Sequence, residues 1–173
     1  MIKMIKMKNK IKIHIFSENI HGSIELDEKK ALDVAKKVLK FYVKEENILS
    51  RSCLQGREFD CLSFDILYCD SEKTHDINKE YREKDYAADI ITFAIFADGE
   101  EKFIFDGEIN LGEIIISLDK VQANALEKGV EFEAELHFLI SHGIMHLLGF
   151  DHQTEEEYNF IVGAQNLALG ELR

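Results

Sequence analysis

The stretch from Phe132 to Leu148 constrains the fold more than any other part of the chain. It reads as one long buried helix, with Gly149 at its end. A buried helix needs other elements on its sides, so the chain must build layers around it. On it, His142 and His146 stand four residues apart. Side chains at i and i+4 lie one above the other on a helix face, so the two imidazoles project together. Gly149 lets the chain leave the helix and fold back, which brings His152 toward the same point from another direction.

The remaining layers can be read from their periods. Lys10–Phe16 alternates apolar and polar residues and predicts a strand with one wet face. Asp27 predicts the N-cap of a helix running to about Val43. Ala31, Leu32, Ala35, Val38, Leu39 and Tyr42 form its apolar stripe, and its lysines form the solvated face. Asp60–Cys69 predicts a strand with Leu62, Phe64, Ile66 and Tyr68 on one side. Ser71 is expected to cap a short helix that carries His75, Ile77, Asn78 and Tyr81. Ile90–Phe96 and Leu111–Leu118 read as strands, with turns at Asp98-Gly99 and Asp106-Gly107. Leu118–Lys128 predicts a helix stopped by Gly129, and Thr154 caps a final helix from about Glu155 to Leu169. About four strands and five helices make an α/β (α+β) fold. We expect one domain over residues 1–173, with a mixed central sheet flanked by helices.

Composition narrows the function classes. No apolar run approaches the roughly 18–20 residues of a membrane span. The N-terminus alternates Lys with Ile and Met where a signal peptide would have an unbroken apolar run. A cytoplasmic protein with no membrane partner is therefore expected. Cys53, Cys61 and Cys69 form no CxxC pair and read as reduced, buried or half-buried thiols; their spacing supports no cysteine metal site. The net charge of -12 excludes an indiscriminate nucleic-acid coat, because such binding rests on Lys and Arg neutralising phosphates. It leaves room for a local basic site.

Three neutral imidazoles at His142, His146 and His152 leave one position open on a tetrahedral zinc ion, the mark of a catalytic zinc site. Zinc lowers the pKa of a bound water to about 7, so a metal-bound water would be the nucleophile. The donor set also suits nickel, copper or iron. The zinc-protease motif HExxH places a Glu base after its first His. Gly143 stands there, which weakens a peptide hydrolase reading. Asp151 would orient a ligand or help with protons, or else serve as a cap or turn residue. His14, His21, His75 and His137 are each read as a satisfied core histidine.

The segment His142-Gly143-Ile144-Met145-His146-Leu147-Leu148-Gly149-Phe150-Asp151-His152 resembles the H-G-x-x-H-L-x-G-[YF]-D-H motif of the YbeY family, bacterial metal-dependent endoribonucleases. Upstream, Ile77-Asn78 followed by Tyr81-Arg82-Glu83-Lys84-Asp85 is similar to the family's L-N-x-x-[YW]-R-x-K-D. Asp89-Ile90-Ile91-Thr92-Phe93 is similar to D-V-L-S-F. Leu111-Gly112-Glu113-Ile114 with Ile116-Ser117 is similar to L-G-D-I-x-I-S, and Glu135-Leu136 stands where the family has E-L. The match runs from about residue 60 to 160. This chain departs from the pattern with Ala88 and Ala94 at positions where the family often has proline. Glu113 replaces Asp, and residues 1–10 look like an extended basic N-terminus.

The resemblance implies a mixed α/β sheet flanked by helices, with the metal site at a cleft. It implies one zinc, or another divalent transition metal, on His142, His146 and His152. Arg82 matches the family's functionally important arginine and would stabilise phosphate charge; Lys84 would help hold the RNA backbone. The implied activity is cleavage of single-stranded RNA in 16S ribosomal RNA 3′-end maturation and ribosome quality control. The partners implied are the small ribosomal subunit and its proteins. The alternatives are a metal-dependent hydrolase of peptides or small molecules, and a ribosome assembly factor without catalysis. Residues 1–44 hold 11 Lys against 5 acidic residues, whereas Gly129–Leu172 has no Lys or Arg. An RNA would then be met by the ion, by Arg82 and Lys84, and by the Lys-rich N-terminal quarter.

Overall fold

The computed structural model describes residues 10–172. The expected basic extension at residues 1–10 lies almost wholly outside them. The strands are β1 (Lys12–Asn19), β2 (Cys61–Cys69), β3 (Ile90–Phe93) and β4 (Glu108–Ser117). The helices are α1 (Glu28–Lys44), α2 (Glu46–Leu49), α3 (Ser71–Arg82), α4 (Ile95–Asp98), α5 (Leu118–Lys128), α6 (Phe132–Leu147) and α7 (Glu155–Gly170). The five expected helices are all present, joined by the single turns α2 and α4. The sheet order is β1-β2-β4-β3, parallel except for β3, which runs antiparallel to β4. The mixed α/β sheet is thus the observed architecture.

Several boundaries move, each for a physical reason. The first strand begins at Lys12, later than expected, and continues to Asn19 because it pairs with β2 as far as Asn19↔Tyr68. The third ends at Phe93 instead of Phe96. Gly112 has φ 129° and so little room that a Cβ would lie 1.9 Å from Phe93 O. The chain leaves the sheet after that approach and turns into α4. Asp70, not Ser71, caps α3, accepting from Lys73 N at 2.8 Å; the Ser71 N–H is taken by Asp119 Oδ2 at 2.7 Å. Asp27 and Thr154 cap as expected, Thr154 in a reciprocal capping box with Glu157. Asp106-Gly107 forms a two-residue turn with both φ positive, closed by hydrogen bonds between Phe105 and Glu108.

One sheet face carries Leu62, Phe64, Ile66 and Tyr68 of β2 with Ile109, Leu111, Ile114 and Ile116 of β4, all buried under the helices. The helix α6 lies in this core, with Leu136, Ile140, Ile144, Met145 and Leu147 at 2% exposure or less. On the other face α3 seals a smaller cluster of Cys69, Ile77, Ile91 and Ile115. Cys61 and Cys69 are buried, Cys53 is half-buried, and none forms a disulfide. No helix among the described residues is long and apolar enough to cross a membrane.

Candidate metal centre

The helix α6 can enter the core only where its backbone meets the sheet closely, and Gly143 makes that contact. A Cβ there would lie 2.9 Å from Ile114 Cδ1 and 3.0 Å from Ile90 Cδ1. The residue after His142 therefore faces β4 and β3, and a glutamate base would have no space. With that side spent on packing, His142 and His146 share another face of the helix. Their Nε2 atoms approach to 2.9 Å.

The turn after α6 brings in the third imidazole. Phe150 N donates to Met145 O at 3.1 Å and Gly149 N to His146 O at 2.9 Å, with Gly149 at φ 92°. These are the two bonds of a Schellman motif, whose apolar contact falls to the buried pair Met145 and Phe150. The reversal carries His152 back to the helix. The three ring centroids lie 4.5, 5.5 and 5.4 Å apart, and the three donor nitrogens fit within 4.8 Å of one another. Tetrahedral zinc with ligand nitrogens at about 2.0–2.1 Å requires them roughly 3.3 Å apart. The donor set and its spacing fit such an ion.

Electrostatics favours the ligand form. Burial, then the neighbouring His142 and His152, pushes the His146 pKa down to about 4. Burial also lowers that of His142. Both rings are therefore neutral at physiological pH, as metal ligation requires.

Gln165 was not singled out by the sequence. It is fully buried on α7, 23 residues from His142. Its Nε2 donates to Phe138 O and Ser141 Oγ, both at 3.3 Å, which fixes the amide's orientation. Its Oε1 then faces His142 Nδ1 at 3.5 Å and accepts its proton. That tautomer leaves His142 Nε2 with a free lone pair toward His146. The only signal available was one amide among the small and apolar residues on the buried face of α7. Asn124 Nδ2 bridges Asp89 Oδ2 and Glu135 Oε1 at 3.3 and 3.4 Å, and Lys128 pairs with the buried Glu135 at 2.9 Å. This chain of contacts ties the residue just before β3 to α5 and α6.

The other residues expected from the sequence lie as follows. Arg82 is exposed at the end of α3, where Nη2 donates to Thr92 O at 3.1 Å. Its tether is thus to β3, the strand against which Gly143 packs. No ion pair among the described residues uses Arg82 or Lys84, and no hydrogen bond joins either to the three histidines. Lys84 is exposed, with Nζ 5.9 Å from the Tyr86 ring centre. Asp151 serves the turn, accepting from His152 N at 2.8 Å and Gln153 Nε2 at 3.0 Å. His21 is a satisfied structural histidine, bonded to Asp119 at 2.9 Å. His14 is exposed and His75 is paired with Asp85 at the surface, so neither belongs to the core as expected.

A family model described as Endoribonuclease YbeY matches residues 16–173. The chain is similar to an Endoribonuclease YbeY of Malacoplasma penetrans, 36% identical over 90% of this chain and 93% of the relative. A protein of the same name from Acetivibrio thermocellus is 34% identical over 92% and 97%. Among solved structures, the solution structure of TM1509 from Thermotoga maritima superposes with a TM-score of 0.56 at 22% identity. It covers 93% of this chain and 91% of that one, a likeness of fold.

Proposed function

The chain belongs to the YbeY family of endoribonucleases, and from that premise we propose that it hydrolyses single-stranded RNA with zinc held by His142, His146 and His152. The observation that carries this reading is the convergence of three imidazoles, two with Nε2 atoms 2.9 Å apart, on a helix with no room for a protease base. Held by the three imidazoles, a zinc ion would supply Lewis acidity and would activate water near neutral pH.

The protein's own groups do the rest. His142 is held as the Nδ1–H tautomer by Gln165. Arg82 spends one Nη on Thr92 O and keeps its other donors for phosphate oxygens, stabilising the charge that builds as the bond to phosphorus breaks. Lys84 holds the backbone nearby. The substrate is the small-subunit ribosomal RNA precursor, cleaved in 16S 3′-end maturation and in ribosome quality control. The partners are the small subunit and its proteins, in the cytoplasm. The net charge of -12 fits a selective enzyme whose own RNA binding is weak, salt-sensitive and dependent on Arg82.

The test is cleavage of a single-stranded RNA by zinc-loaded protein, with and without chelator, beside His146→Ala and Arg82→Ala. Both substitutions and the chelator are expected to abolish turnover. Cleavage that survives chelator and His146→Ala alike would sink the proposal.

A further inference from the structure

The sheet has a face that α6 does not touch, and its ladder brings together three potential ligands far apart in sequence. Across the parallel strands Lys12 pairs with Cys61 and Cys61 with Glu108. His14 lies two residues beyond Lys12 and so shares their face. Ile114, which meets α6, is on the opposite face, because Glu113 pairs with Asp65 after a bulge in β4. His14, Cys61 and Glu108 thus form a cluster on the sheet face opposite the one that α6 and its histidines cover.

Their geometry is that of a ligand set. His14 Nδ1 lies 3.5 Å from Cys61 Sγ. Zinc holding sulfur at about 2.3 Å and nitrogen at about 2.0–2.1 Å in a tetrahedron sets those atoms roughly 3.6 Å apart. The Glu108 carboxylate completes the group, and all three donor atoms lie within 4.8 Å of one another. The three residues sit on adjacent hydrogen-bonded strands, so little backbone freedom is lost on binding. Cys61 is buried while His14 is exposed, which leaves the site open on its solvent side.

We propose that His14, Cys61 and Glu108 form a second metal site, selective for a borderline divalent ion such as zinc, with one position open to solvent. Binding forms the metal–sulfur bond and sends the thiol proton to solvent. Imidazole, thiolate and carboxylate together favour zinc or cobalt over magnesium or calcium, which prefer oxygen alone. The site is independent of the RNA-cleaving reading, since it shares no ligand with His142, His146 or His152.

Cobalt distinguishes the two centres. A three-histidine site contains no sulfur, so a thiolate-to-cobalt charge-transfer band in the near ultraviolet reports only the second site. The full chain, stripped of metal and titrated with Co²⁺ alone, should develop this band and bind two ions. His142→Ala should keep the band and lose one ion. Cys61→Ser should abolish the band. Glu108→Gln and His14→Ala, at partly or fully exposed positions that tolerate substitution, should each weaken Zn²⁺ binding at this site by more than about tenfold while the melting temperature of the metal-free protein holds. No band in the parent protein would mean that the 3.5 Å contact is only a thiol–imidazole hydrogen bond, and would overturn the proposal. A band that survives in Cys61→Ser would do the same.

Discussion

Gly143→Ala tests whether the metal centre depends on how closely α6 approaches the sheet. The added Cβ would stand 2.9 Å from Ile114 Cδ1, 3.0 Å from Ile114 Cγ2 and 3.0 Å from Ile90 Cδ1, against the roughly 3.5–4.0 Å of ordinary carbon contact. The two Cδ1 methyls can swing aside by rotation about χ2. The Cγ2 methyl sits at the branch and moves only with χ1 or the backbone, and Ile114 is fully buried. Overpacking of this kind costs about 1–3 kcal/mol. Replacing Gly by Ala inside a helix returns about 1 kcal/mol. The net expectation is a loss near 1 kcal/mol, or roughly 3 °C in melting temperature for a chain of this size. Relief by outward movement of α6 would also carry His142 and His146 off their present spacing, so zinc affinity should fall with stability. Thermal melts of the metal-free protein and competitive zinc titration measure the two effects. Gly143→Glu, which restores the protease pattern, must bury a carboxylate against two isoleucines and should fail to fold. An Ala variant that melts higher than the parent with unchanged zinc affinity would refute the close-packing argument.

Gln165→Leu should lower zinc affinity about 10- to 100-fold by releasing the His142 tautomer; equal affinity in a chelator competition would contradict that role. Gly112→Ala places a methyl 1.9 Å from Phe93 O at φ 129°, so it should lower the urea-unfolding free energy by more than about 3 kcal/mol or abolish soluble expression. Native-like stability in that variant would contradict the close β3–β4 approach. Acid should destabilise the metal-free protein through His146, whose pKa is about 4 when folded and about 6.5 when unfolded. Between those values the unfolded chain binds the extra proton, so stability from this residue is full above about pH 6.5 and is lost toward pH 4, on the order of 3 kcal/mol. Urea midpoints measured across that window should fall with pH in the parent and fall less in His146→Ala; equal slopes would refute the assignment.

What could be read from the sequence was local. The helix α6, its two histidines and the Gly149 reversal depend on spacing within a few residues, and the structure has each of them. Leu118–Lys128 and its stop at Gly129 were legible for the same reason. The misplaced features answer to distant partners. Asp70 and Ser71 are both competent caps, and the choice follows from Asp119 taking the Ser71 N–H. The early end of β3 follows from Gly112, nineteen residues past Phe93. Gln165 and the His14–Cys61 contact are likewise products of tertiary folding, with sequence separations of 23 and 47. No periodicity encodes such pairs.

The three histidines are not held alike, and that difference bears on how the centre fills. His142 and His146 ride on a helix buried in the core, and Gln165 adds a bond from a second helix. Their positions are fixed by the same packing that folds the domain. His152 is exposed and follows a turn, with its backbone N–H tied to Asp151 Oδ1 and its ring edge-on to Tyr158 at 6.2 Å. The Schellman motif aims it, and its exposed ring meets those of His142 and His146 from the solvent side. Two donors are therefore organised in advance, while the ordering cost of ion capture falls mainly on the third. The same asymmetry leaves the solvent side of the three histidines walled by the segment with the fewest constraints.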